Sequence, residues 1–171
     1  MKMGIIIRYA NEDDARSLGI VYSQSYQVAF KGIIPDKILN DVFSPEKRTE
    51  GLQREISEGI PANAILFNDD KPAGILTYGR SKDVDLDDTF LEILRIYILP
   101  TYWGQNIGTE LINWGINEIQ NKGCKKITLW VLEENSRARK FYEKMGFIHD
   151  GITRVIDVGK ELIDLRYIKN L

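Results

Sequence analysis

The spacing of apolar residues alternates between a helical period of about 3.6 and a strand period of about two, and the switches divide the chain into elements. Ile5 to Arg8 predicts a short strand. Asn11-Glu12-Asp13-Asp14 combines a capping side chain with acids in a first turn and predicts a helix start. Leu18, Val21, Tyr22, Ser25 and Ala29 then share one helical face, and Gly32 predicts its end. Pro35 to Val42 reads as a short helical turn. Ser44-Pro45 opens a further helix that carries Leu52 and Ile56 and stops near Gly59. Ala64 to Phe67 and Ala73 to Ser81 are predicted strands, joined by a hairpin turn at Asn68-Asp69-Asp70-Lys71. After an acidic loop, Lys82 to Thr89, Phe90 to Leu99 reads as the longest strand. Gly108 to Lys122 is a predicted helix with Leu111, Ile112, Gly115 and Ile119 inward, stopped by Gly123. Lys126 to Leu132 is a buried strand, and Asn135 to Met145 a short helix ended by Gly146. Gly151 to Asp157 and Leu162 to Lys169 close the chain as a hairpin around Gly159-Lys160.

This order predicts an α/β fold, a mixed sheet with helices on its faces. No repeat, low-complexity tract or linker interrupts it, so residues 1–171 are read as one domain. Hydrophobic residues make up 43% and charged residues 28%, as in ordinary globular chains. A net charge of −2 gives no global reason to expect nucleic acid or an anionic membrane as partner. The apolar runs are too short to cross a bilayer, and the start, MKMGIIIR, lacks the apolar core and cleavage site of a leader. The single cysteine, Cys124, rules out an internal disulfide and suits a reducing, cytoplasmic compartment. With one His and one Cys, no metal site is expected.

The segment Glu92 to Gly108, EILRIYILPTYWGQNIG, organises the rest. A strand feeds a loop containing Gly and Asn, and the loop opens an amphipathic helix. Such a helix start exposes unpaired backbone N–H groups at the positive end of the helix dipole, a setting suited to phosphate. Glycines at a strand-to-helix turn also serve the turn alone, so the loop by itself leaves both readings open. The segment resembles the acyl-CoA signature of the GNAT superfamily of N-acetyltransferases, whose loop runs Arg/Gln-x-x-Gly-x-Gly/Ala. Trp103 stands at the Arg/Gln position, Asn106 at the first glycine and Gly108 at the second, with Gly104 a frequent extra glycine. Asn tolerates left-handed backbone and can keep the loop shape. Trp103 cannot supply the charged or amide contact. A second stretch, NSRARKFYEKMGF from Asn135 to Phe147, resembles the later motif Asn-x-x-Ala-x-x-Phe-Tyr-x-x-x-Gly-Phe at Asn135, Ala138, Phe141, Tyr142, Gly146 and Phe147.

The resemblance implies a GNAT fold, a central twisted mixed sheet splayed between its fourth and fifth strands, with acetyl-CoA as co-substrate. It implies direct transfer to a primary amine through a ternary complex. The acceptor would be a small amine or a peptide amino group. Pyrophosphate would rest on Trp103, Gly104, Gln105, Asn106, Ile107, Gly108 and Thr109, chiefly on N–H groups from Gln105 to Thr109. Main-chain donors for the thioester would lie among Ile96, Tyr97 and Ile98, freed by a bulge. Asn135 would cap its helix and meet the pantetheine arm. Tyr142, which otherwise needs only a hydrogen-bond partner, would be the general acid.

Glu92 is either the base or the partner of Arg95 or a nearby Lys, and alternation places it with Leu94, Ile96 and Ile98. Tyr22, Tyr26 and Phe30 form a stripe that is either core or acceptor surface. Asp83, Asp85, Asp87 and Asp88 are either a solvated loop or a lure for a cationic amine such as a polyamine. Phe141, Phe147, Trp114 and Trp130 read as core, Cys124 as a buried structural thiol and His149 as exposed. The family pattern is compatible with a homodimer. Its alternative use is a non-catalytic acyl-CoA sensor or scaffold, favoured by the departures at Trp103 and Asn106. A Rossmann-type domain is excluded, since the Gly loop follows a central strand and no acid-tipped second strand follows.

Overall fold

The computed structural model of the chain describes residues 4–171. The reading of the start as lacking a leader rests partly on residues 1–3, which lie outside the described residues. Strand β1 is Ile5–Tyr9. The Asn11 side chain then accepts the Asp13 N–H while Asp14 accepts the Asn11 N–H, which fixes a 3-10 turn at Glu12–Asp14. Helix α1 runs Ala15–Ala29, and it ends three residues before Gly32 because the Phe30 carbonyl accepts the N–H groups of both Ile33 and Ile34. Helix α2 is Asp36–Val42 and α3 is Pro45–Glu58, the latter capped by Ser44 and ended by left-handed Gly59. Strands β2, Ala62–Asn68, and β3, Lys71–Gly79, meet at a two-residue turn in which Asp69 and Asp70 both have positive φ.

Strand β4 is Phe90–Ile98, α4 is Ile107–Asn121, β5 is Lys126–Leu132 and α5 is Ser136–Lys144. The chain closes with β6, Ile148–Asp157, and β7, Glu161–Asn170. Each of these has 10 residues against 9 in β4, so β4 is not the longest strand. β6 begins three residues before Gly151 and absorbs that glycine at a register break between His149 and Thr153.

The seven strands form one sheet in the order β1-β2-β3-β4-β5-β7-β6. β4 and β5 run parallel, and every other pairing is antiparallel. This is the mixed, helix-covered sheet expected from the sequence. On one face Leu18 and Val21 of α1 and Leu52 of α3 pack on Ile65 and Ile75. On the other, Leu111, Ile112 and Ile119 of α4 pack on Leu66, Leu76, Ile93 and Ile127, joined by α5 and Phe147. Three fully buried side chains at roughly 1.5–3 kcal/mol each outweigh the helix-propensity cost of Gly19, about 1 kcal/mol. Gly19 is there because α1 and α3 touch: a Cβ would run into Thr49 Oγ1 and the Thr49 and Pro45 backbone. Among the described residues, no helix is long and apolar enough to cross a membrane.

Candidate active site

The sheet opens where β4 and β5 should continue together. Their pairing comprises only Phe90 with Lys126, Leu91 with Ile127 and Glu92 with Thr128. Beyond Glu92 the strands diverge, and a cavity of about 650 Å³ occupies the gap, within the ~300–1,000 Å³ range of small-molecule sites. On its other edge β4 pairs Ile75 with Tyr97, Leu76 with Ile96 and Thr77 with Arg95, and then Tyr78 with Ile93. Leu94 is the extra residue, an exposed bulge.

The bulge corrects the face assignment made from plain alternation. Ile93, Ile96 and Ile98 all pack toward α4, whereas Arg95 and Tyr97 face α1 and α3. Glu92, next to Ile93, therefore shares the side of Arg95 and Tyr97. Arg95 is fully engaged by a bidentate pair with Glu55, at 2.7 and 3.0 Å, so it is not the partner of Glu92.

The antiparallel ladder also sorts the backbone donors. The Leu99 N–H donates to Ala73 O at 2.9 Å. Bonded and non-bonded positions alternate from there, so the Tyr97 N–H points to β3 while those of Ile96 and Ile98 point into the gap. The Ile98 carbonyl lies on the same open side and accepts Trp103 Nε1 at 2.8 Å.

Trp103 thus locks the start of the loop to the end of β4. Asn106 has φ +65° and ψ +2°, the left-handed conformation that its sequence position requires, and Gly104 has φ +77°. No side chain caps α4, which leaves its first N–H groups directed at the cavity. Trp103, Gly104, Asn106, Ile107, Gly108 and Thr109 line it. Gln105 does not; its side chain turns outward to donate to Thr101 O at 2.9 Å. Arg137 of α5 stacks on Trp103, its guanidinium carbon 3.4 Å from the ring centroid. Desolvation pulls it below the ordinary arginine value, yet an arginine stays charged. Sequence reasoning missed this cation, which stands beside the position where Trp103 replaces Arg or Gln. These features suit an elongated anionic coenzyme: an uncapped helix start, a left-handed loop, a nearby cation and two strand N–H groups.

From the opposite wall, Asn135 Oδ1 accepts the Ala138 N–H at 3.2 Å and caps α5. Tyr142, one turn beyond Ala138, faces the cavity, and burial pushes its phenol well above the ordinary value. Phe147 is core, but Phe141 is half-buried and lines the cavity beside Gly108.

At the far end stand Glu92 and Asp164, 9% and 6% exposed. Burial pushes Glu92 up from the ordinary glutamate value; Asp83 and Asp164 act the same way, while the Ser81 hydroxyl and Arg154 oppose. Burial likewise raises Asp164, against the pull of Arg154. Arg154 donates from Nε and Nη2, at 3.1 and 2.9 Å, to Asp164 Oδ2 alone, and lies 4.0 Å over the Trp130 ring. Trp130 is therefore cavity wall rather than core, and Trp114 is half-buried, edge-on to Tyr9. Tyr26 and Phe30 line this end. Tyr22 sits behind them, packed against Tyr97 and between Arg48 and Arg95.

The acidic loop is not a free lure. Buried Arg166 binds Asp85 at 2.7 and 2.8 Å, Asp150 at 2.7 Å and Asp83 at 3.4 Å. Asp88 meets Arg80, and Asp87 is taken by Thr89. Cys124 is half-buried at the core edge, and His149 is exposed and stacked on Tyr167.

Residues 35–147 match the family model described as the acetyltransferase (GNAT) family. The chain is 26% identical over 149 residues to a spermidine N(1)-acetyltransferase of Thermoplasma acidophilum, covering 85% of this chain and 89% of that protein. It is 41% identical over 56 residues to an uncharacterised N-acetyltransferase of Methanocaldococcus jannaschii, a match spanning 33% of this chain and only 25% of that longer protein. In fold it is similar to the crystal structure of an N-acetyltransferase, PaiA, from Thermoplasma acidophilum in complex with coenzyme A, with a TM-score of 0.75 at 24% identity over 99% of this chain and 100% of that one.

Proposed function

The chain belongs to the GNAT acetyltransferase family, and from that premise we propose that it moves the acetyl group of acetyl-CoA to a primary amine by direct attack within a ternary complex. The observation that carries this reading is the convergence of Tyr142, Glu92 and the free edge of β4 on one cavity. Bound acetyl-CoA would supply an electrophilic thioester carbonyl and a thiol leaving group. The N–H groups of Ile96 and Ile98 would donate to the thioester and pantetheine oxygens, and one well-aimed donor contributes ~3–4 kcal/mol of barrier. The first N–H groups of α4, with Arg137 beside them, would hold the pyrophosphate.

Glu92 takes one proton from the acceptor ammonium and frees the nitrogen lone pair for attack at the carbonyl carbon. As the carbon–sulfur bond breaks, Tyr142 Oη gives its proton to sulfur and regains one from the nitrogen that has become an amide. The raised phenol value keeps Tyr142 protonated until that moment. Glu92 then returns its proton to solvent. A small-amine acceptor is supported by the likeness to a spermidine acetyltransferase.

The test is thiol release from acetyl-CoA over a panel of amines, with Tyr142→Phe as control. Wild type should turn over at least one amine, and Tyr142→Phe should lose roughly 10²–10⁴-fold in kcat while still binding CoA. CoA binding with no turnover of any amine would leave the sensor reading in place of the enzyme.

A further inference from the structure

We infer that the acceptor is a primary amine carrying a single positive charge on an apolar or aromatic body, with its ammonium held between Glu92 and Asp164. This rests on the acetyl-transfer reading above and narrows it. Glu92 forms no ion pair among the described residues, and it lines the cavity. Asp164 gives only Oδ2 to Arg154, so Oδ1 is left for a second donor. An ammonium has three N–H donors, enough to meet both carboxylates at once. Glu92, Asp164 and Arg154, the three charged groups that line this end, together carry one net negative charge, which one ammonium matches.

The wall around them includes Tyr26, Phe30, Leu132, Ile156 and Trp130, none of which carries a charge for a second ammonium. Asp83, Asp85 and Asp88 do not line the cavity; the first two turn to Arg166 and the third to Arg80. Arg154, with 47% of its side chain exposed, stands where this end meets solvent. It repels the second and third ammonium groups of a polyamine that extends outward. A carboxylate on the acceptor carbon would lie against Glu92 and Asp164 and be repelled in turn. The same cavity therefore discriminates in both directions, against polycations by Arg154 and against α-amino acids by the carboxylate pair.

The experiment compares kcat/KM with acetyl-CoA for 2-phenylethylamine, n-hexylamine, spermidine and phenylalanine. The two monocations should exceed spermidine and phenylalanine at least 10-fold. Asp164→Asn should raise KM for 2-phenylethylamine at least 10-fold with kcat changed far less. Arg154→Gln, a change at the solvent edge that tests the same idea if Asp164→Asn fails to fold, should raise kcat/KM for spermidine relative to 2-phenylethylamine. Turnover with spermidine or phenylalanine preferred over both monocations would overturn this inference and leave acetyl transfer standing. An unchanged ratio in Arg154→Gln would overturn the charge argument. No turnover of any of the four, or of the wider amine panel, would instead fail the underlying transfer reading.

Discussion

Asn106 offers the sharpest test of the coenzyme grip, because its role is a backbone conformation rather than a side-chain contact. With φ +65° and ψ +2° it holds the left-handed turn that points the first N–H groups of α4 into the cavity. A residue with a branched Cβ in that conformation costs about 1–2 kcal/mol. In Asn106→Val that cost must appear in one of two places. If the loop keeps its shape, the fold loses it, and the melting temperature drops by roughly 2–8 °C for a chain of this size. If the loop relaxes, the cost falls on binding, and the Kd for CoA rises about 5–30-fold. Calorimetric titration with CoA and thermal unfolding, run on the same preparation, capture both. Asn106→Gly should change either by no more than about 1 kcal/mol, since glycine reaches the same conformation without strain. Wild-type affinity and wild-type stability in Asn106→Val would refute the reasoning. So would an equal loss in Asn106→Gly, which would assign the role to the amide side chain.

Four further outcomes are expected. Glu92 must be ionised to act as base, and burial raises it above the ordinary 4.5, so kcat/KM should fall with acid along a limb centred above that value and absent from Glu92→Gln. The same shift makes the folded chain hold this proton more tightly than the unfolded chain. Its stabilising effect is complete below the ordinary value and is lost as pH rises through the folded one, so the melting temperature of Glu92→Gln should gain on wild type across that window. Replacing Arg137 by Gln should weaken CoA binding about 10–100-fold, the range of one charge-assisted hydrogen bond, and flatten its salt dependence; unchanged affinity would separate the Trp103 stack from the coenzyme. Gly19→Ala should cost roughly 1–3 kcal/mol by forcing α1 off Thr49 and Pro45, read as a lower denaturation midpoint, and an unchanged midpoint would mean that the two helices can slide apart freely.

Local chemistry was legible because it is local. Ser44 and Asn135 cap their helices, accepting the N–H groups of Lys47 and Ala138, as short-range spacing predicts. Asn106 adopts the backbone that its place in the loop demands. What escaped the sequence depends on residues far apart in it. Trp130 reads as core until β7 and Asp83 are seen beside it, with Asp83 accepting its Nε1 at 3.1 Å. The Arg137–Trp103 stack joins two elements across 34 positions, and neither residue carries a periodic signal. The aspartates of the acidic loop look free because the cation that binds them, Arg166, lies some 80 residues later. Bulges leave no mark on composition either: Leu94 is simply one apolar residue more than the ladder can use.

That surplus residue gives β4 two reading frames. Upstream of Leu94 the inward and outward positions obey one parity, and downstream they obey the other. The carboxylate end and the donor edge can therefore drift independently under substitution, since neither sets the orientation of the other. Loss of a single codon at this point would be far more drastic than any replacement. It would merge the frames, and either Glu92 would turn from the cavity or the Ile96 and Ile98 amides would turn back into the sheet.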